Sequence, residues 1–245
     1  MEKRIRLALA MTFVFLGLLV GPCFSADESP NKGEGRGYFM IGGNQLDMDD
    51  LNRRLMANGF TRFSDDYISL GGGGHAIVNE RIIIGGEGHA LLGRTKSSTV
   101  VNVDYGSKLS AGYGFFDLGY VVLRSGGFDA YPLLGIGGGG ISMNFVESEV
   151  GSFDDVLQNP SRGSKLSTWD LLVSVGFGMD HLYVLGGNEQ GEGGLVLGLR
   201  AGYIFSPFEG DWKFEGETLP GGPDFGITGP YIRLMIGGGG WGTVD

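Results

Sequence analysis

The sequence predicts an all-β fold: an eight-stranded antiparallel up-and-down transmembrane β-barrel with one short helix in the first outward loop. Three observations predict it. Large apolar side chains alternate with glycine, small polar and charged ones over runs of ten or more residues, whereas strands of soluble proteins average about 5–6. Long and short links between these runs take turns along the chain. The 49 glycines among 245 residues lie inside the β-like runs, far above the usual ~7% and without a collagen period.

The first residues read as a leader. Lys3, Arg4 and Arg6 form a positive start, residues 7–20 are apolar, and Gly21-Pro22 breaks the run. Fourteen apolar residues fall short of the ~20 that a membrane helix needs. Cys23 and Ser25 suit signal-peptidase cleavage after Ser25, giving a signal peptide over 1–25 and one domain over 26–245. Acylation of Cys23 is the weaker alternative, because Pro22 is a poor neighbour for it. Without Cys23 the mature chain has no cysteine, which excludes disulfides, thiolate catalysis and cysteine-bound metal. Loss of Glu2, Lys3, Arg4 and Arg6 moves the formal charge from −10 to −12. So acidic a chain excludes nucleic acid as a partner.

Strands are expected near residues 37–44, 67–78, 82–94, 108–123, 130–146, 168–184, 194–205 and 229–241. In the sixth, Trp169, Leu171, Val173, Val175, Phe177 and Met179 alternate with Asp170, Leu172, Ser174, Gly176, Gly178 and Asp180. In the seventh, Leu195, Leu197, Leu199, Ala201, Tyr203 and Phe205 alternate with Val196, Gly198, Arg200, Gly202 and Ile204. Alternation alone does not tell lipid from a protein core on the greasy side. Length does favour lipid: about 10 residues at ~3.3 Å, tilted by ~40°, span roughly 25 Å of hydrocarbon. In the fourth and fifth runs the apolar phase slips, from Leu109, Ala111, Tyr113 and Phe115 to Leu118, Tyr120 and Val122, and again between Ile136 and Ile141. One bulge in each strand would produce such a slip.

Residues 46–59 form the one expected helix, with Asp47 as cap, Asp49 and Asp50 in its first turn and Asn58-Gly59 as its stop. Its Met48, Leu51 and Leu55 form an apolar stripe suited to covering a barrel mouth. Acidic residues in the outward loops, among them Asp65, Asp66, Asp154 and Glu217, lack calcium-loop spacing and read as a solvated face.

A three-residue link at Asn79-Glu80-Arg81 would put Ile68, Leu70, Ala76, Val78, Ile82, Ile84, Ala90 and Leu92 on one face. Ser69, Gly71, Gly73, His75, Glu87 and His89 would share the other. Asp170, Asp180, Arg200 and Arg233 fall on inward faces too. The expected lumenal polar network is therefore His75, Glu87, His89, Asp170, Asp180, Arg200 and Arg233, paired because a bare buried charge is costly. His75, Glu87 and His89 are also the candidates for acid–base chemistry, though local spacing places no serine beside them. No metal site and no cofactor is expected. The glycine run at 135–140 has neither a following helix nor a P-loop lysine.

The leader, the eight runs and the loop asymmetry resemble the small eight-stranded outer-membrane barrels of the OmpA-transmembrane-domain, OmpX and OmpW kind. The resemblance is one of architecture and covers nearly the whole chain after the leader. It implies a porin-like class of protein in the cell outer membrane, meeting the barrel-assembly machinery, outer-membrane lipid and lipopolysaccharide. Such proteins usually end on an aromatic residue, whereas Trp241 is followed here by Gly-Thr-Val-Asp. The expected role is non-enzymatic: envelope structure, adhesion or binding of a small hydrophobic ligand. The alternatives are a lipid-modifying enzyme using His75, Glu87 or His89, and a soluble periplasmic barrel around an apolar ligand.

Overall fold

The computed structural model describes residues 32–148, 152–158, 163–188, 191–208 and 210–243. The expected signal peptide and its cleavage site lie outside them. In chain order the elements are β1 (Lys32–Gln45), α1 (Asp49–Ala57), β2 (Asp66–Val78), β3 (Ile82–Leu92), β4 (Lys96–Val100), β5 (Val103–Tyr120) and β6 (Leu123–Ser125). There follow β7 (Phe128–Glu147), α2 (Phe153–Gln158), β8 (Gly163–Asn188), β9 (Gly191–Phe208), β10 (Lys213–Phe214), β11 (Glu217–Thr218) and β12 (Gly229–Thr243).

This corrects the expected fold class and the likeness drawn from it. The sheet has twelve strands rather than eight, in the order β11-β10-β8-β9-β12-β1-β2-β3-β5-β7-β6, with β4 on β5 and a further pairing of β7 with β8. Two helices, not one, are present among the described residues. The uniform set of membrane-length transmembrane strands of a porin-like protein is corrected as well, since lengths run from 2 to 26 residues. The added strands β4, β6, β10 and β11 arise where links fold back on the wall instead of leaving it. Val101 and Asn102, with φ of 51° and 62°, make the tight turn that lays β4 along β5.

Eight long strands each run antiparallel to two long neighbours, because β7 pairs with β8 as well as with β5. The β2–β3 link holds three residues: Val78 pairs with Ile82, and Asn79 and Glu80 take positive φ. Ile68, Val78, Ile82, Ile84 and Leu92 are accordingly exposed, while Ser69, His75, Glu87 and His89 are buried. Exposed on other strands are Phe39, Phe116, Leu118, Ile136, Leu171, Leu197 and Leu234. The wall is greasy outside and polar within over much of its height.

The phase slip has a different cause from the bulges expected. Register runs unbroken from Tyr105 to Gly119 along β7 and from Phe128 to Val146 along β8. The irregularities lie between β8 and β9, at Leu171/Val173 and Val184/Gly186. Leu109, Ala111, Tyr113, Phe115, Ile141 and Met143 point inward because one end of the interior is apolar. There α1 lays Leu51 and Leu55 over them, with Met48, Phe63, Trp212, Phe225 and Ile227 completing the cap. The helix is shorter than expected and starts at Asp49. Met48, not Asp47, stands at its N-cap without a side-chain bond, and Asp47 accepts a weak bond from the Asp49 amide at 3.4 Å.

Candidate functional site

Below the apolar cap the interior is ionic. Alternation along β3, β9 and β12 sends Glu87, Arg200 and Arg233 inward from three directions, and all three are buried. Arg200 Nη1 donates to Glu87 Oε2 at 2.7 Å and approaches Asp117 Oδ2 at 3.4 Å. Its Nη2 donates to the Tyr38 hydroxyl at 2.5 Å and lies 3.2 Å from His75 Nδ1. Arg233 donates to the other Glu87 oxygen and to the Tyr113 hydroxyl at 2.8 Å. The Arg233 guanidinium also stacks 3.8 Å from the centre of the Tyr231 ring. One carboxylate thus serves two guanidinium groups, the charge-assisted geometry that makes such bonds strong.

A second cluster closes the opposite end. Arg36 pairs with Asp129 and Asp180, and lies 3.6 Å from Glu34. The Tyr131 hydroxyl donates to Asp180 at 2.5 Å. Arg124, on β6, forks between Asp129 at 2.7 Å and Glu34 at 2.9 Å. Burial disfavours its charge, but these two acids outweigh that and raise its pKa above the usual arginine value. Seven inward residues were picked out by alternation, and all seven are buried. His75, Glu87, His89, Arg200 and Arg233 meet in the first cluster. Asp180 belongs to the second. Asp170 stands apart, accepting from the Gly210 amide at 2.8 Å.

The sequence pointed to no serine beside the histidines, and this is corrected. Ser69 Oγ lies 3.1 Å from His89 Nδ1, and His89 Nε2 lies 3.5 Å from Glu87 Oε1. The three sit in a line like a nucleophile, base and acid. They are not placed to act as one. Ser69 has no exposed surface, Glu87 is engaged by both arginines, and Tyr113 stacks on the His89 ring at 5.3 Å.

Arg36, Tyr38, Asp117, Asp129 and Arg124 were missed. Arg36 sits between Gly35 and Gly37, so β1 shows no apolar partner face there. Asp117 was hidden by the misread phase of β5. Asp129 and Arg124 fall in what reads as a turn, though β6 and β7 pair there.

No family model matches the chain, and no curated protein matches it. Among solved structures it is similar to Ail, the attachment invasion locus protein of Yersinia pestis, at 10% identity and TM-score 0.39, covering 87% of this chain and 99% of that one. It is similar to the outer membrane protein OprG from Pseudomonas aeruginosa at 16% identity and TM-score 0.35, covering 88% and 97%. A third is the outer membrane protease OmpT from Escherichia coli, at 8% identity and TM-score 0.33, covering 91% and 99%. Scores this low leave function to be argued from the chain's own residues.

Proposed function

We propose that this chain is an exported, non-enzymatic protein of the bacterial outer membrane, serving envelope structure or adhesion. One observation carries the proposal: the sheet is inside out relative to a water-soluble protein. Arg200, Arg233, Asp129, Asp170 and Asp180 are each about 1% exposed, while Phe116, Ile136, Ile232, Leu234 and Ile236 are more than half exposed. Soluble monomers rarely leave so continuous an apolar surface uncovered, and lipid is the medium in which it costs least. The basic-apolar-small pattern of residues 1–25 supplies the export signal. The packed ionic interior supports a structural or binding role for the outside and the loops rather than chemistry within.

Cell fractionation tests this. The protein is expected in the outer-membrane fraction, resistant to carbonate extraction and soluble only with detergent. Recovery as a detergent-free periplasmic monomer would overturn the proposal.

A further inference from the structure

Outward residues of β5, β7 and β8 change character stepwise along the wall. Gly114, Gly138 and Leu171 share one level, and Gly112, Gly140 and Trp169 the next. Above them come Ser110, Ser142 and Ser167, then Lys108, Asn144 and Lys165. β10 places Lys213 directly beside Ser167. These side chains point outward, since Leu109, Ile141, Met143, Thr168 and Trp212 beside them in sequence are buried. With strands ~4.8 Å apart and alternate residues ~6.7 Å apart, the three lysines root within roughly 16 Å of one another.

The order is that of a membrane surface: glycine and aliphatic groups, a tryptophan, hydroxyls, then ammonium groups. Trp169 is 64% exposed, and its ring lies so close over Gly138 that a Cβ there would collide with it. None of Lys108, Lys165 and Lys213 has an ion-pair partner among the described residues. Cations therefore stand where the apolar belt ends, with no ion-pair partner among the described residues.

We propose that Lys108, Lys165 and Lys213, with Asn144, bind the phosphate of a net-anionic membrane lipid whose acyl chains lie along the glycine floor beside Trp169. The proposal rests on the lipid-embedded reading and names its partner. A long-range preference of the whole chain for anions is excluded by its net charge of −10.

The test uses the full chain in detergent and native mass spectrometry, with phosphatidylglycerol and phosphatidylcholine of identical acyl chains as probes. Each lysine near a lipid surface contributes about fivefold, so retention of phosphatidylglycerol is expected to exceed that of phosphatidylcholine by at least ~10-fold. The triple variant Lys108→Gln, Lys165→Gln, Lys213→Gln is expected to abolish the preference, and the corresponding triple arginine variant to keep it. An undiminished preference in the glutamine variant would overturn the proposal. So would displacement of the lipid by millimolar inorganic phosphate regardless of acyl chain, which would mark a free-anion site. Insertion into pure phosphatidylcholine vesicles reads the membrane proposal separately. Insertion without anionic preference sinks the patch alone, and failure to enter any vesicle sinks both.

Discussion

Glu87 holds the interior together, since Arg200 and Arg233 share its two oxygens. Removing it strands two buried guanidinium groups, and breaking a buried pair in this way costs about 3–5 kcal/mol. Glu87→Ala is therefore expected to lower the unfolding free energy of the refolded protein, read from urea titration, by that amount, and Glu87→Gln to lose most of it. Glycines on the same inner face are there for room. A Cβ on Gly178 would run into the Tyr131 ring, and one on Gly71 into the His89 imidazole, whereas one on Gly35 meets nothing within 4 Å. Gly178→Val should destabilise by roughly 1–3 kcal/mol or more through overpacking, with Gly35→Ala close to neutral in the same unfolding assay. The Ser69–His89–Glu87 line calls for a chemical readout. Ser69→Ala combined with His75→Gln and His89→Gln is expected to leave the envelope lipid profile unchanged. A changed acylation pattern would revive the enzymatic alternative.

At the level of elements, α1 earns its place through its apolar stripe and not its capping. Leu51 and Leu55 belong to one buried cluster with Leu109, Ile141 and Phe225. Asn52 fixes the chain that follows by exchanging bonds with the Phe63 amide and carbonyl at 2.8 and 3.1 Å. Leu51→Asp with Leu55→Asp should free α1 while the strands stay paired, since loss of a peripheral packing unit opens locally. Limited proteolysis is expected to cleave within residues 46–66 at least ~10-fold faster in this variant, with strand content by circular dichroism preserved. The stripe was legible in the sequence because helical spacing needs only local residues. The apolar lining it covers was not. Leu109, Tyr113, Ile141 and Met143 point inward because of residues roughly 70 to 120 positions away, Trp212 to Ile227, and no local period reports that. A change from apolar residues facing the core to apolar residues facing outward along one straight strand therefore looked like a bulge. The short strands were missed for a related reason: β4, β10 and β11 have no alternation of their own and are held by the edges of β5 and β8.

For the molecule as a whole, the direction of the apolar face was legible where both sides of a strand differ in kind, as in β8 and β9. Leu171 and Leu197 are exposed, while Asp170, Asp180 and Arg200 beside them are buried. The strand count and the cross-interior pairs, Arg36 with Asp129 above all, needed the assembled sheet. Which medium surrounds the belt is open to a direct energetic test. Ile136 is 53% exposed and pairs with Val173, four residues along β8 from Trp169, or about 13 Å at ~3.3 Å per residue. If Trp169 marks the interface, Ile136 sits near the middle of the hydrocarbon. In water, replacing so exposed a side chain by arginine shifts stability by no more than about 0.5 kcal/mol. In a bilayer the same change costs about 2–4 kcal/mol at the midplane and only ~0–1 near the interface. Ile136→Arg is therefore expected to lose 2–4 kcal/mol in refolding into vesicles, and Val146→Arg, above the lysine level, to lose less than ~1. Equal small losses at both positions would mean that the belt meets something other than lipid, and the outer-membrane proposal would fall with that result.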